Sequence, residues 1–193
     1  IRRGILEQFA KAEIPDSSPE EIRRRLTFVI CGGGPTGVEV AAEIHDLLER
    51  ELLGAYPSLA PQARVVLVEA TERILTSFDE ALSDYTRRHF QREGIEVRLF
   101  SKVRGIEEGR VHLADGGEIS CGMVIWAGGN APVHFIKTLG EPTDKRGRLI
   151  VDSHLRLVNR EDAFALGDCA ADGDHPLPPT AQVAQKQGKY LAK

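Results

Sequence analysis

The 193-residue chain is 41% hydrophobic, enough for one or two domains with cores of their own, and its formal net charge is −4. Its basic residues are scattered, which leaves no nucleic-acid footprint, and its apolar runs fall far short of the roughly 18 residues a membrane-spanning helix needs. Cys31, Cys121 and Cys169 are odd in number and far apart, which fits reduced thiols rather than a disulfide framework, and no C-x-x-C pair offers thiol-disulfide exchange. The chain starts at Ile1 without an initiator Met or a signal-like segment, so a piece of a longer protein is expected.

In chain order, Ile5, Leu6, Phe9 and Ala12 recur at helical spacing and predict an amphipathic helix over 2–12, stopped by Pro15. Pro19 suits the first position of a short capped helix. The apolar run 26–30 reads as a buried strand that ends abruptly in Gly32-Gly33-Gly34-Pro35-Thr36-Gly37. Gly32, Gly34 and Gly37 satisfy G-x-G-x-x-G. The first allows a tight turn, the second lets a pyrophosphate approach the backbone, and the third lets helix and strand pack closely. Apolar residues at 38, 41, 42, 44, 47 and 48 continue as one face of a helix over 38–53, whose N-terminus would face an anion without any charged side chain. After the Pro-punctuated loop 54–61, the run 64–69 reads as a second strand, parallel to the first through a right-handed βαβ crossover.

Glu69 closes that strand, where a carboxylate meets the 2′- and 3′-hydroxyls of an adenosine ribose. It comes 32 residues after Gly37 rather than the usual ~20, an excess that the long helix and loop absorb. A helix over 78–93 is expected next, with Leu82, Tyr85, Thr86, His89 and Phe90 on one side and Gly94 as its stop. A third strand at 95–99 precedes three short antiparallel strands, 103–106, 110–113 and 117–120, with Asp115-Gly116 as a hairpin turn at which both residues tolerate positive φ.

The run 123–126 reads as another buried strand, and it ends at Ala127, Gly128 and Gly129, where backbone can come close to a ligand. Short strands are expected at 147–152 and 155–158. A further apolar strand over 163–168 closes on Gly167-Asp168 and aims a carboxylate at polyol hydroxyls. The segment 170–179 reads as a loop and 180–191 as a helix capped by Thr180, with Gln182 in its first turn. His45, His89, His134 and Trp126 read as packing residues, and Glu43 and Asp46 as solvated helix positions or interdomain contacts. No G-x-S-x-G element or His-Cys pair suggests a nucleophile.

Four ordered motifs, FVICGGGPTGVEVAAE, VIWAGGNAP, FALGDCA and TAQVAQKQGKYL, resemble the type II NADH:quinone oxidoreductases, the single-subunit alternative NADH dehydrogenases of respiratory membranes. The likeness covers essentially the whole chain. The wider two-dinucleotide flavoprotein superfamily shares the first three in looser form, whereas Ala181-Gln182 after Gly167-Asp168 points to the quinone-reducing branch. The wording around Pro35 to Glu39 and at Ile44-His45-Asp46 is closest to eukaryotic members.

The resemblance implies an α/β fold: a Rossmann-like NADH-binding domain with a small antiparallel meander over 26–126, inserted in a flavin domain to which 1–25 and 127–193 belong. It implies FAD and NADH as cofactors, a membrane quinone as acceptor, and hydride transfer without proton pumping. Gly32, Gly33, Gly34, Pro35, Thr36, Gly37, Glu69, Ala127, Gly128, Gly129, Gly167, Asp168, Ala181 and Gln182 are the expected cofactor-binding residues. Glu39 and Gln182 are the catalytic candidates, with Gln185 a weaker neighbour.

The family's first Gly-rich unit for FAD would precede Ile1 and its membrane-attaching region would follow Lys193, so the chain alone is expected to be inactive. A peripheral place on the mitochondrial inner membrane is expected, with a bacterial plasma membrane or a plastid as alternatives, and a homodimer is an allowed assembly. Some family members insert a calcium loop after the Gly-Asp motif; Ala171-Asp172-Gly173-Asp174-His175 lacks its ligand pattern, so no metal is expected. Two other readings stay open: a ferredoxin-reductase-like or apoptosis-inducing-factor-like flavoenzyme, and a non-enzymatic NADH-binding regulator.

Overall fold

The computed structural model describes residues 1–173 and 175–192, and the chain forms two compact units, Ile1–Gly129 and Asn130–Lys193. In the first unit the strands are β1 (Thr27–Cys31), β2 (Arg64–Val68), β3 (Glu96–Arg98), a meander of β4 (Val103–Glu107), β5 (Arg110–Leu113) and β6 (Glu118–Ser120), and β7 (Met123–Trp126). A four-stranded parallel sheet takes the order β3-β2-β1-β7, and the meander makes a separate antiparallel sheet.

Strand alternation divides the core in two. Phe28, Ile30, Val65 and Leu67 turn to the helices, while Val29, Cys31, Val66 and Val68 turn to Val111, Leu113, Ile119 and Cys121 of the meander. Both faces are covered, so β1 reads as an unbroken apolar run. Helix α1 (Arg2–Ala12) buries Ile5 and Phe9 completely, and the Phe9 ring lies 6.3 Å from Phe28 and 5.2 Å from Tyr56. Burial of one such aromatic stabilises the unit by about 1.5–3 kcal/mol. Helix α2 (Pro19–Arg25) starts as expected, with Ser18 Oγ accepting from Glu21 N at 3.1 Å and Pro19 at the first position.

Helix α3 runs from Pro35 to Leu47, then loosens into a π-helical stretch, Leu48–Leu52, and a last turn, Leu53–Ala55. The start is earlier than the apolar spacing suggests, because Pro35 has its φ preset for a first helical turn. Helix α4 (Glu80–Arg92) begins after Asp79, whose Oδ1 accepts from Leu82 N at 2.9 Å. Its inward face differs from the expectation: Ser83 and Phe90 are buried, whereas Leu82, Tyr85 and His89 are exposed. Ser83 Oγ donates to the Ile74 carbonyl at 2.8 Å, and this buried polar anchor sets the rotation of the helix.

Three further expectations change. Strand β7 lies at an edge of its sheet, so it is only partly buried, and Trp126 is 61% exposed rather than a packing residue. His134 is exposed, whereas His45 is half-buried and His89, though exposed, stacks on Tyr85 with ring centroids 6.3 Å apart. At the hairpin only Gly116 has positive φ; Asp115 instead folds its carboxylate back to accept from Gly117 N at 2.8 Å.

In the second unit β8 (Leu149–Val151) and β9 (Ala170–Asp172) pair in parallel, with α5 (His134–Thr138) and α6 (Ala181–Leu191) beside a core of Ile136, Leu149, Val151, Leu155, Leu157, Ala165 and Ala170. The expected strands at 155–158 and 163–168 survive only as isolated bridges, Val151 to Leu157 and Arg156 to Phe164. Asp152 Oδ1 accepts the N–H groups of His154 and Arg156, so a side chain takes donors that a ladder would use. The expected loop after 169 instead opens with β9. Asp174, in the stretch weighed as a calcium loop, lies outside the described residues. Among the described residues no helix is long and apolar enough to cross a membrane.

A candidate dinucleotide cleft

The turn between β1 and α3 gives each motif glycine a separate physical reason. Gly32 has φ +117°, and a Cβ there would lie 2.6 Å from the Ala127 carbonyl oxygen; a Cβ at Gly37 would run into the Gly32 carbonyl. These two let the β7 exit and α3 close onto the turn. Gly34 is different. Its φ is −72° and an added Cβ would meet nothing within 4 Å, so neither backbone nor packing requires glycine there. No side chain caps α3 and no acid lies in its first turn, which leaves the positive end of the helix dipole open to an anion.

Glu69, immediately after β2, is tied to this turn. Its Oε2 accepts from Gly33 N at 2.6 Å, and its Oε1 accepts from Thr71 N at 2.8 Å and Thr71 Oγ1 at 2.9 Å. The backbone is held as well: Glu69 N donates to the Arg98 carbonyl, Ser101 N to the Glu69 carbonyl, and Phe100 N to the Thr71 carbonyl. Phe100 adopts φ +53°, a strained conformation for a side-chain-bearing residue. A cavity of about 240 Å³ opens here, lined by Cys31, Gly32, Val68, Glu69, Ala70, Ser101, Lys102, Val103, Trp126 and Gly128. It lies at the carboxyl ends of the parallel strands, where open α/β sheets bind ligands.

The structure thus brings Gly32, Glu69 and Gly128 to one cavity, with Gly33 bonded to Glu69 and the Ala127 N–H bonded to the Cys31 carbonyl at 2.8 Å. Pro35, Thr36 and Gly37 form the first turn of α3, and Gly129 ends the unit with φ +101°. The motifs did not point to Thr71, Ser101, Lys102 or Val103. The rule that ligands sit beyond strand carboxyl ends would have found the residues after β3.

Glu39 is exposed and belongs to a different cavity, about 530 Å³, with Arg2, Glu43, Asp46, Arg50 and Glu51 among its lining. The two cavities share no lining residue. Glu39 lies past the first turn of α3, so helix-dipole stabilisation does not account for it. Asp46 pairs with Arg50 at 3.1 Å.

In the second unit Gly167–Cys169 is a 3₁₀ turn, and Gly167 has φ +72°. Asp168 is exposed and accepts from Asn130 Nδ2 at 3.3 Å; both line a small cavity with Arg146, Arg148, Pro132 and Pro179. Thr180 caps α6 as expected, its Oγ1 accepting from Val183 N at 3.3 Å, and Ala181, Gln182 and Gln185 are exposed. The Asp168 carboxylate fits a polyol-bearing ligand, whereas Gln182 and Gln185 do not line its cavity. The side chain that grips the turn is Gln187, whose Oε1 accepts from Gly167 N at 2.8 Å.

The three cysteines are free. Burial pushes the Cys31 thiol up to about 11, and burial raises Cys121 as well, partly countered by Arg24. Both therefore remain protonated at neutral pH and are not nucleophiles. Among the described residues no group of three or more His, Cys, Asp or Glu is placed to hold a metal.

The chain is 38% identical over 194 residues to the "Probable NADH dehydrogenase" of Dictyostelium discoideum, covering all of this chain and 43% of that protein. It is 39% identical over 202 residues to the "External NADH-ubiquinone oxidoreductase 2, mitochondrial" of Saccharomyces cerevisiae, covering 36% of its length. The chain thus spans less than half of the curated relatives it matches. Its fold superposes on NDH2 from Plasmodium falciparum in complex with NADH with a TM-score of 0.83 at 28% identity, covering 89% of this chain and 37% of that one. The family profile described as "Pyridine nucleotide-disulphide oxidoreductase" matches residues 6–188, and the chain belongs to that family.

Proposed function

We propose that the chain is the NADH-binding domain, together with part of the FAD-binding domain, of an NADH:quinone oxidoreductase that does not pump protons. The observation that carries the reading is the uncapped helix at a glycine, Gly34, that the protein's own packing does not require, beside the Glu69 carboxylate. The name of the Saccharomyces cerevisiae relative, an NADH-ubiquinone oxidoreductase, supports the quinone as acceptor.

In this reading the first turn of α3 binds the pyrophosphate through backbone N–H groups, and Glu69 accepts from the adenosine ribose. Asp168 accepts hydrogen bonds from the ribityl or pyrophosphate-side groups of FAD. Gln182, and Gln185 after it, lie near the flavin ring and the quinone, and Glu39 serves the same junction. FAD, when bound, supplies the two-electron relay, so the protein's part is orientation and electrostatics. The domain limits are those expected from the resemblance, 26–126 for NADH with 1–25 and 127–193 for FAD. The complete protein is placed peripherally on the mitochondrial inner membrane, with a homodimer as an allowed assembly.

Anaerobic mixing of the complete flavoprotein with NADH should bleach the visible flavin absorbance, and added ubiquinone should restore it. Absence of bleaching would overturn the reading. Reoxidation by a ferredoxin-type protein but not by quinone would move the chain to the reductase alternative.

A further inference from the structure

The Glu69 carboxylate offers about four acceptor positions, and the protein itself fills three of them. Both positions on Oε1 go to Thr71, one to its N–H and one to its hydroxyl. One position on Oε2 goes to Gly33. A single lone pair therefore remains for a ribose hydroxyl, on the oxygen that faces the glycine turn. The Thr71 hydroxyl also lies 3.0 Å from the Arg73 carbonyl, so its one hydrogen is shared between two acceptors. Thr71 is anchored in turn, because its carbonyl accepts from Phe100 N at 2.9 Å.

We propose that Thr71 is a positioning residue that sets nucleotide choice by locking Glu69 in the one orientation that accepts a 2′-hydroxyl and repels a 2′-phosphate. The proposal rests on the reading that Glu69 meets the adenosine ribose. Without the Thr71 hydroxyl, Glu69 keeps its bonds from Gly33 N and Thr71 N but loses one of its three anchors, so its carboxylate is freer to turn away from a 2′-phosphate. Lys102, which lines the same cavity, then remains as a cation able to receive a 2′-phosphate.

The test compares kcat/KM for NADH and NADPH in the complete flavoprotein, for wild type, Thr71→Val, Thr71→Ser and Glu69→Gln, and for the double variant of Thr71→Val with Glu69→Gln. Thr71→Val should narrow the NADH-over-NADPH preference about tenfold, the weight of one charge-assisted hydrogen bond, through KM rather than kcat. Thr71→Ser should keep the wild-type preference, and Thr71→Val should change nothing further once Glu69 is Gln. Thr71→Ala serves in place of Val if the latter yields no folded protein.

A preference unchanged in Thr71→Val and Thr71→Ala overturns the proposal while leaving the Glu69 reading intact. An equal loss with both nucleotides marks Thr71 as merely structural and overturns it too. A wild type that uses both nucleotides equally overturns the Glu69 reading, and the proposal with it.

Discussion

Gly167 N donates to Gln187 Oε1 at 2.8 Å, so a side chain from the second turn of α6 holds the turn that carries Asp168. The donor is partly buried. Leaving it without an acceptor costs about 1–3 kcal/mol.

Gln187→Ala should therefore displace Asp168 and lower the flavin content of the complete protein, as Asp168→Ala should directly. Gln187→Glu keeps an acceptor at the same place and should retain flavin. Measured FAD per polypeptide separates the cases; full occupancy in both Asp168→Ala and Gln187→Ala would show that the turn does not hold the flavin.

Two of the reasons for glycine in the turn can be pulled apart. Gly37→Ala brings a Cβ against the Gly32 carbonyl and should destabilise the first unit by about 1–3 kcal/mol, a fall of several degrees in Tm. Gly34→Ala meets open space and should leave Tm unchanged while weakening NADH binding about tenfold or more. Thermal melts paired with NADH fluorescence titrations decide it, and unaltered NADH affinity in Gly34→Ala would remove the pyrophosphate from this turn.

The Gln182 side chain is exposed in the first turn of α6 and makes no hydrogen bond among the described residues. Gln182→Ala should slow quinone reduction more than NADH-driven flavin reduction, without a change in Tm. Stopped-flow measurement of the two half-reactions checks this, and equal effects on both would count against a place beside the quinone.

Acid should loosen the β2–β3 edge of the sheet. Glu96 accepts from Arg98 Nε and Arg64 Nη2, each at 2.7 Å. Partial burial works to raise its carboxyl, yet these two cations outweigh it and hold the group below the ordinary value of 4.5. A folded-state value below the unfolded one gives stability that is present above pH 4.5 and is lost as pH falls through the folded value. Because the side chain is about a third exposed, solvent screening limits the contribution to about 1 kcal/mol or less. The Tm gap between wild type and Glu96→Gln should be constant near neutral pH and close in acid. A gap independent of pH would show that the ion pair is not its source.

Much of the local structure was legible in residue order because its causes are local. The spacing of Gly32, Gly34 and Gly37, the proline that opens α3, the Ser18 and Thr180 caps and the turn at Gly116 depend on neighbours within a few positions. The parallel β1–β2 pair follows from chain connectivity and handedness. What local pattern could not supply was the rotation of α4, decided by Ser83 reaching the Ile74 carbonyl, or the exposure of Trp126, decided by the edge place of β7. The same holds for the second unit's short strands, where Asp152 takes the N–H groups that a ladder needs.

The residue order alone established a glycine turn with a carboxylate at the next strand end, because both are tied to the ends of predictable elements. Only the tertiary structure decided what that carboxylate does with its lone pairs and which glutamine of α6 grips the Gly167 turn. Glu69 and Gly33 are 36 positions apart, and Gly167 and Gln187 are 20 apart. A hydrogen bond is set by a distance of about 3 Å and an angle in space, and no periodicity along the chain encodes either.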